Sequence, residues 1–280
     1  MFDLPRFDLD RFVAATLAED LGDIGDITSM AVIPVEARFV GVMRSRDPIT
    51  VAGLSIAEAF FRALDAKARI EMLVEDGARV AAGTELMRIE GTARALLTAE
   101  RSALNTVQHL SGIATLTRRY ADALEGTGAT LLDTRKTLPG LRVLEKYATR
   151  MGGATNHRMG LWDAAMIKDN HVAVAGGVAE AVARAVRAGI AHVIVEVDRL
   201  DQIEPALTAG ATWLLLDNMD PETLCAAVGT VARRVPTEAS GSVRLETIRA
   251  LGETGVTYVS AGRITQSAPA ADIGLDFAAA

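Results

Sequence analysis

Apolar and polar positions alternate in two different ways along the chain, and the change falls near residue 115. In the first part, apolar residues at helical spacing predict helices over residues 10–21, 55–65 and 94–123. Residues 37–44 and 74–91 instead alternate apolar and polar side chains, and the glycines within 74–91 predict tight turns between short strands. The pattern therefore predicts a mixed α/β domain over residues 1–115.

From residue 116 onward, short apolar strands alternate with amphipathic helices. Strands are predicted over residues 129–133, 153–156, 164–168, 192–197, 213–217, 236–240 and 257–261. The last five end at residues 168, 196, 217, 240 and 261, a spacing typical of successive βα units in a parallel sheet. Because the series is too short for an eight-stranded barrel of about 250 residues, we predict an incomplete or seven-stranded α/β barrel over residues 116–267.

Composition excludes several classes of protein. The chain carries 29 Lys and Arg against 36 Asp and Glu, and a net charge of −7 makes it a poor candidate for non-specific nucleic-acid binding. Its one cysteine, Cys225, cannot form a disulfide within the chain, which is typical of a reducing cytoplasm. The sequence has neither a long uninterrupted apolar run nor a basic start followed by an apolar core, so we expect no membrane span and no signal peptide.

Basic side chains follow the first three predicted strands of the barrel. Arg135 and Lys136 follow the first, His157 and Arg158 the second, and Lys168 the third. A single Arg-Lys pair is most simply a solvated surface pair. Three such groups, each after an apolar stretch, are different, because parallel strands bring their carboxyl ends together and like charges repel unless an anion lies between them. The pattern therefore predicts a pocket for small, highly charged anions.

The later strands end in carboxylates and then in small residues. Glu196 and Asp217 each end an apolar strand, where a charge without a partner is costly, so a mere capping role is disfavoured. Ser240-Gly241 and Ala261-Gly262 follow at the position where barrels commonly bind phosphate. We expect a sugar phosphate bearing a pyrophosphate, with the carboxylates on ribose hydroxyls or a Mg²⁺ bridge, and a di- or tricarboxylate on the remaining cations.

Several motifs resemble those of the quinolinate phosphoribosyltransferase family. They are Asp133-Thr-Arg-Lys-Thr-Leu-Pro-Gly-Leu-Arg142, Asn156-His-Arg-Met-Gly-Leu161, Ile167-Lys-Asp-Asn-His171, Thr98-Ala-Glu-Arg-Ser-Ala-Leu-Asn105 and Asp272-Ile-Gly-Leu-Asp276. The resemblance covers nearly the whole chain. It implies an N-terminal α/β sandwich domain, against which residues 268–280 pack, an open seven-stranded α/β barrel and a homodimer. It also implies transfer of phosphoribosyl from phosphoribosyl pyrophosphate to quinolinate with decarboxylation, using Mg²⁺, in cytoplasmic de novo NAD synthesis.

The resemblance implies roles for individual residues. Those expected to hold the carboxylates of quinolinate are Arg135, His157, Arg158, Lys168 and, from the neighbouring subunit, Arg101. Those expected to act in catalysis and to bind phosphoribosyl pyrophosphate with its Mg²⁺ are Lys136, Glu196 and Asp217, and those expected to cradle its 5′-phosphate are Ser240, Gly241, Ser242, Ala261 and Gly262. Three positions depart from the family pattern: Ser242 stands where Gly is frequent, Arg263 where Ala is usual, and Gln266 where His is usual.

Three alternatives are considered. A paralogous phosphoribosyltransferase-like enzyme associated with molybdenum transport would act on a different substrate, but its pattern lacks the Lys168–His171 segment. Residues 74–91 resemble a lipoyl or biotinyl carrier, yet no lysine lies between Lys67 and Lys136 to carry the group. A zinc hydrolase is disfavoured because the four histidines show no metal-ligand spacing.

Overall fold

The computed structural model describes Leu4 and residues 6–277, and these residues form two compact units. The first unit comprises the chain up to Leu116, the segment Val143–Gly152 and the C-terminal segment from Ala268. The second comprises Thr117–Arg142 and Gly153–Ser267. The segment Val143–Gly152, which the sequence pattern places inside the barrel domain, thus belongs to the first unit. Residues 278–280, the end of the segment expected to pack on the first domain, lie outside the described residues.

The chain begins with nine helices and strands. In order they are α1 Leu9–Leu21, α2 Ile27–Val32, β1 Arg38–Ser45, β2 Ile49–Thr50, α3 Leu54–Leu64, β3 Arg69–Met72, β4 Arg79–Val80, β5 Glu85–Thr92 and α4 Ala93–Leu124, counted over the described residues. The predicted helices 10–21, 55–65 and 94–123 are confirmed within a residue at each end. The Asp26 carboxylate accepts a hydrogen bond from the Ser29 N–H at 2.9 Å and caps the start of α2.

The rest of the described chain alternates strands and helices. In order they are β6 Thr130–Leu132, α5 Arg142–Met151, β7 Ala165–Ile167, α6 Asp169–Ala175, α7 Val178–Arg187, β8 Val193–Val197, a 3-10 helix Leu200–Gln202, α8 Ile203–Thr208, β9 Trp213–Asp217, α9 Pro221–Val231, β10 Thr237–Ser240, α10 Ile248–Gly252, β11 Tyr258–Ser260, α11 Arg263–Gln266 and β12 Ile273–Phe277. Within these residues, no helix is both long and apolar enough to span a membrane.

The first unit is built on an antiparallel sheet in the order β12-β1-β5-β3. The edge strand β12 comes from the C-terminal segment and pairs with β1, with Met43 opposite Leu275.

Gly112 lies within α4 and does not interrupt this helix. A Cβ atom at Gly112 would clash with the carbonyl oxygen of Pro269, so the glycine lets the C-terminal segment approach the helix closely.

The second unit contains a parallel sheet in the order β6-β11-β10-β9-β8-β7. The first strand of this series, β6, therefore pairs with the last, β11, which is the order of a sheet that curves into an open α/β barrel. The fold class predicted from the sequence is confirmed. The strand predicted at 153–156 is reduced to one parallel bridge between Leu132 and Thr155 among the described residues.

Alternation along the strands of the second unit separates the core from the site. Val195, Leu214 and Leu216 are completely buried. Glu196 and Asp217, one residue further along β8 and β9, face the opposite way, since successive side chains of a strand point to opposite sides. β8 and β9 thus each contribute apolar side chains to the core and one carboxylate to the barrel interior near the carboxyl end of the strand.

Candidate active site

The carboxyl ends of the parallel strands surround a cavity of about 780 Å³ in the second unit. The predicted site residues that line it are Arg135, Lys136, His157, Arg158, Lys168, Glu196, Asp217, Ser240, Gly241, Ser242 and Gly262. Two predicted residues are placed elsewhere. Ala261 is completely buried and donates its N–H to the Leu132 carbonyl, and Arg101 is an exposed residue of α4 in the first unit.

Two arginines form the cationic side of the cavity. The Nε of Arg135 is buried and has no hydrogen-bond partner among the described residues. The Nη1 of Arg158 donates to the Ala164 carbonyl at 3.2 Å. Burial, and then the nearby Arg135 guanidinium, lower the pKa of Arg158 from its ordinary value. Both side chains remain charged at neutral pH, since an arginine is not deprotonated in proteins. They therefore favour an anion between them.

Side chains hold the loop that carries Arg158, because the sheet contributes only the bridge at Thr155. The buried Asp133 carboxylate accepts hydrogen bonds from Asn156 Nδ2 at 2.6 Å and from the His157 N–H at 2.8 Å. The Arg158 N–H donates to His157 Nδ1 at 2.7 Å. The acid that opens the Asp133 motif thus fixes the loop and does not face the cavity.

A lysine and two carboxylates form a second charged group in the cavity. Lys168 Nζ lies 2.9 Å from Glu196 Oε2. Burial, and then the Glu196 carboxylate, raise the pKa of Asp217, and Lys168 opposes this shift. Asn218 Nδ2 donates to Asp217 Oδ2 at 2.6 Å. The two acids repel each other electrostatically, which suits a ligand that brings positive charge or hydroxyl donors to them.

Backbone conformation shapes the cup at the end of the last strands. Gly241 has φ +98°, and a Cβ atom there would clash with Asn218 Oδ1 and lie 2.8 Å from the Asn218 nitrogen. Only glycine fits this position. Ser242 also has a left-handed backbone, with φ +46°, which explains why glycine suits that position too. At Gly262 a Cβ would lie 2.7 Å from Lys136 Cδ, so the lysine side chain passes close over the glycine.

Sequence reasoning did not identify Arg244 and Glu238 as residues of the cavity, and it assigned no role to Arg263. Arg244 and Arg263 are exposed side chains that line it and form no side-chain hydrogen bond or ion pair within the described residues. Arg263 stands out in the sequence as a departure from the family pattern, whereas nothing singles out Arg244. Glu238 is a buried acid on β10 that also lines the cavity. Its signal is the two-residue spacing from Ser240, which puts both side chains on one face of the strand.

The chain is similar to quinolinate phosphoribosyltransferases over almost its whole length. Models of the quinolinate phosphoribosyl transferase N-terminal and C-terminal domains match residues 26–111 and 113–276. The chain is 45% identical over 285 residues to the nicotinate-nucleotide pyrophosphorylase (carboxylating) of Mycobacterium leprae, covering 98% of each protein. It is 39% identical over 291 residues to quinolinate phosphoribosyltransferase (decarboxylating) 1b of Nicotiana tabacum, covering 97% of this chain and 83% of that protein. The crystal structure of NadC from Streptococcus pyogenes superposes with a TM-score of 0.94 at 37% identity, covering 100% of both chains.

Proposed function

The chain belongs to the quinolinate phosphoribosyltransferase family, and we propose that the cavity at the carboxyl ends of its parallel strands is the active site. The family reaction transfers phosphoribosyl from phosphoribosyl pyrophosphate to quinolinate, and gives nicotinate mononucleotide, CO₂ and pyrophosphate for de novo NAD synthesis. One observation carries the assignment of the site. A single cavity combines several arginines, a pair of carboxylates and a glycine-shaped cup, which matches two substrates of high negative charge.

Quinolinate is assigned to the cationic side. Arg135 and Arg158 each offer a planar guanidinium, which binds a carboxylate through two parallel hydrogen bonds, and Lys168 adds a third positive charge. The buried Nε of Arg135, which has no hydrogen-bond partner in the described part of the protein, supports this assignment, because such a donor is costly unless a ligand accepts from it. His157 lies in the same group, and its ring nitrogens contact Arg158 and Glu238.

Phosphoribosyl pyrophosphate is assigned to the cup. Ser240, Gly241, Ser242 and Gly262 would surround the 5′-phosphate, with Lys136 beside them. The side chains of Arg244 and Arg263, which have no ion-pair partner within the described part of the chain, add positive charge around the same cavity. They supply cations in a chain that carries the neutral Gln266 where the family pattern has His. Ala261, which is buried, would support this cup from behind.

Glu196 and Asp217 are assigned to the ribose and to Mg²⁺. No group of three or more metal-ligating side chains occurs among the residues that the structure describes. Two carboxylates nevertheless fit Mg²⁺, since this ion is usually held by one or two carboxylates together with phosphates of the substrate. Glu196 and Asp217 would hold the ion, which would neutralise charge on the pyrophosphate as it leaves.

The residues act by position and charge. As pyrophosphate leaves, positive charge develops on the ribose ring, and the carboxylates of Glu196 and Asp217 stabilise it. The arginines hold the pyridine nitrogen of quinolinate against the carbon that reacts. The ribosylated ring then accepts the electron pair of the adjacent C–C bond as CO₂ leaves, and the ring carbon takes up a proton from solvent to give nicotinate mononucleotide. No nucleophile of the protein is required for these steps.

The proposed assembly is a homodimer in which Arg101 of one subunit completes the quinolinate site of the other. Arg101 is exposed on α4. The second unit exposes Leu161 and Trp162, which are 72% and 70% accessible, and Leu161 lines a second cavity of about 600 Å³ that shares Arg135 and Arg158 with the first. Exposed apolar side chains of this kind are typical of protein interfaces. The lone Cys225 favours a cytoplasmic location.

The segment Lys168–His171 favours quinolinate over the substrate of the paralogue associated with molybdenum transport. The Lys168 N–H donates to His171 Nδ1 at 3.0 Å where α6 begins. The segment thus orients the lysine that the proposal assigns to quinolinate.

A kinetic experiment tests the two sides of the cavity separately. With quinolinate, phosphoribosyl pyrophosphate and Mg²⁺, Arg158→Ala should raise the KM for quinolinate, and Arg263→Ala the KM for phosphoribosyl pyrophosphate, each by about tenfold or more. Arg249→Ala is the control, because Arg249 is an exposed arginine of the same unit that pairs with Glu253. Unchanged kinetics in the first two variants would show that the substrates bind elsewhere.

A further inference from the structure

Glu238 is a buried carboxylate at the floor of the cavity, below the residues that the reaction uses. The side chain is 1% exposed. Its Oε2 lies 3.2 Å from His157 Nε2 and accepts from Trp213 Nε1 at 3.0 Å, and its Oε1 is buried without a hydrogen-bond partner among the described residues. An unpartnered buried oxygen destabilises the folded protein. A buried carboxylate oxygen without a partner is therefore rare in folded proteins, and a role in the function of the site is one explanation for it.

The hydrogen bonds around His157 determine which ring nitrogen carries the proton. The Arg158 N–H donates to Nδ1 at 2.7 Å, so Nδ1 must present its lone pair. The ring proton therefore lies on Nε2, from which it is donated to Glu238. A second proton on Nδ1 would break the hydrogen bond from Arg158, so the ring is neutral. His157 thus serves as a neutral connector, whereas the sequence suggests a cation that binds a carboxylate directly.

The connector joins the cavity floor to the backbone of Arg158. That backbone has little support from the sheet, because the preceding segment forms only the bridge at Thr155. Glu238, which accepts from the His157 ring, is held in place at the other end. It also accepts from Trp213, and the Trp213 ring stacks on Tyr258 with ring centres 4.4 Å apart. The position of the Arg158 guanidinium beside Arg135 therefore depends on the tautomer of His157.

We propose that Glu238 is a positioning residue for the dicarboxylate substrate: it fixes His157 in the Nε2–H tautomer, and the neutral ring holds Arg158 at the spacing that the substrate requires. The inference rests on the proposed function, since it takes the Arg135–Arg158 group as the quinolinate site. A purely structural role for Glu238 would lower stability and impair both substrates alike. A positioning role impairs quinolinate selectively.

The test combines nitrogen NMR of the histidine rings with steady-state kinetics. The chain has four histidines, so the His157 signals can be assigned by their loss in His157→Gln. Wild type should show the neutral Nε2–H form. Glu238→Gln should keep that form and a quinolinate KM within about threefold, since one amide oxygen can accept both donors. Glu238→Leu should lose the single tautomer and raise the quinolinate KM by about tenfold or more, with the KM for phosphoribosyl pyrophosphate unchanged.

Two matched variants keep the test decisive if Glu238→Leu does not fold. His157→Asn retains an acceptor near the Arg158 N–H and should keep more quinolinate affinity than His157→Gln, which places its amide further away.

Three results would overturn the inference: a His157 ring that carries its proton on Nδ1, equal losses for both substrates in Glu238→Leu, or a His157→Asn variant no better than His157→Gln. Failure of the proposed function is distinguishable from these results. In that case the wild type itself would not turn over quinolinate, while the NMR result would still decide the tautomer.

Discussion

The ammonium group of Lys168 lies 2.9 Å from the carboxylate of Glu196, so one ion pair joins the two substrate sides of the cavity. The proposed function assigns Lys168 to quinolinate and Glu196 to phosphoribosyl pyrophosphate. Lys168 is half exposed and Glu196 is largely covered. The lysine therefore neutralises the acid before substrate arrives and remains accessible to the quinolinate carboxylates.

The first prediction separates the two lysines of the site. Lys168→Ala should weaken quinolinate handling more than phosphoribosyl pyrophosphate handling, and Lys136→Ala should do the reverse, because Lys136 lies over Gly262 in the cup. Each loss should cost on the order of 2–4 kcal/mol in transition-state stabilisation. Values of kcat/KM for each substrate check this. Near-normal values in both variants would contradict the assignment.

The second prediction concerns Asp217, whose pKa is raised first by burial and then by Glu196. Because the folded state holds this proton more tightly than the unfolded state, ionisation of Asp217 destabilises the fold as pH rises through its folded pKa. Asp217→Asn should therefore raise Tm at pH 7, by about 2–4 °C for each kcal/mol recovered. The gain should vanish below about pH 4, the unfolded pKa of Asp, where both forms are uncharged.

The same variant should lose activity, on the order of 100-fold in kcat, because the carboxylate no longer stabilises the developing positive charge. Thermal unfolding at several pH values and one activity measurement test both parts. A variant with a lower Tm at pH 7 would show that Asp217 contributes to the stability of the fold.

The third prediction compares two neighbouring residues of the cup. Gly241→Ala should destabilise the protein by more than about 2 kcal/mol, since it adds a left-handed backbone penalty to a clash with Asn218. Ser242→Gly should instead be neutral or stabilising by up to about 1 kcal/mol, because glycine relieves the positive φ of Ser242. Urea unfolding measures both. Equal destabilisation by the two substitutions would refute this backbone argument.

The fourth prediction tests the shared site. Arg101→Ala and Lys168→Ala should each inactivate the proposed homodimer. In a mixed dimer of the two variants, one site carries both changes and the other carries neither. Activity should therefore return, towards one intact site in each mixed dimer. Inactive mixed dimers, isolated by two different affinity tags, would mean that Arg101 acts within its own chain or has no part in the site.

The sequence predicted the strands of the second unit well, because their apolar runs are short and their spacing regular. The segment 153–156 was the exception. The Asp133 carboxylate accepts hydrogen bonds from Asn156 and His157, and these bonds hold the segment where strand pairing was expected. The pattern of hydrophobic residues cannot show that side-chain hydrogen bonds take the place of strand pairing. Glu238 was missed for a related reason. Its buried partners, His157 and Trp213, lie on other segments of the chain.

The sequence also failed to place α5. Charged residues usually face solvent, yet Glu145 and Lys146 are completely buried. The Glu145 carboxylate lies 2.9 Å from the Nε2 atom of the His109 ring, and Tyr147 donates to Asp76 at 2.6 Å, all within the first unit. The packing of α5 depends on polar partners that are distant in the sequence. The hydrophobic periodicity of a segment does not identify such partners.

The most direct test of the account compares quinolinate with nicotinate, which lacks the second carboxylate, under identical conditions with phosphoribosyl pyrophosphate and Mg²⁺. A site built around Arg135, Arg158 and Lys168 leaves a buried donor unpaired when one carboxylate is missing, and such sites discriminate strongly. We predict release of CO₂ and formation of nicotinate mononucleotide from quinolinate, with kcat/KM for nicotinate lower by about 10⁴-fold. Comparable turnover of the two substrates would contradict the account.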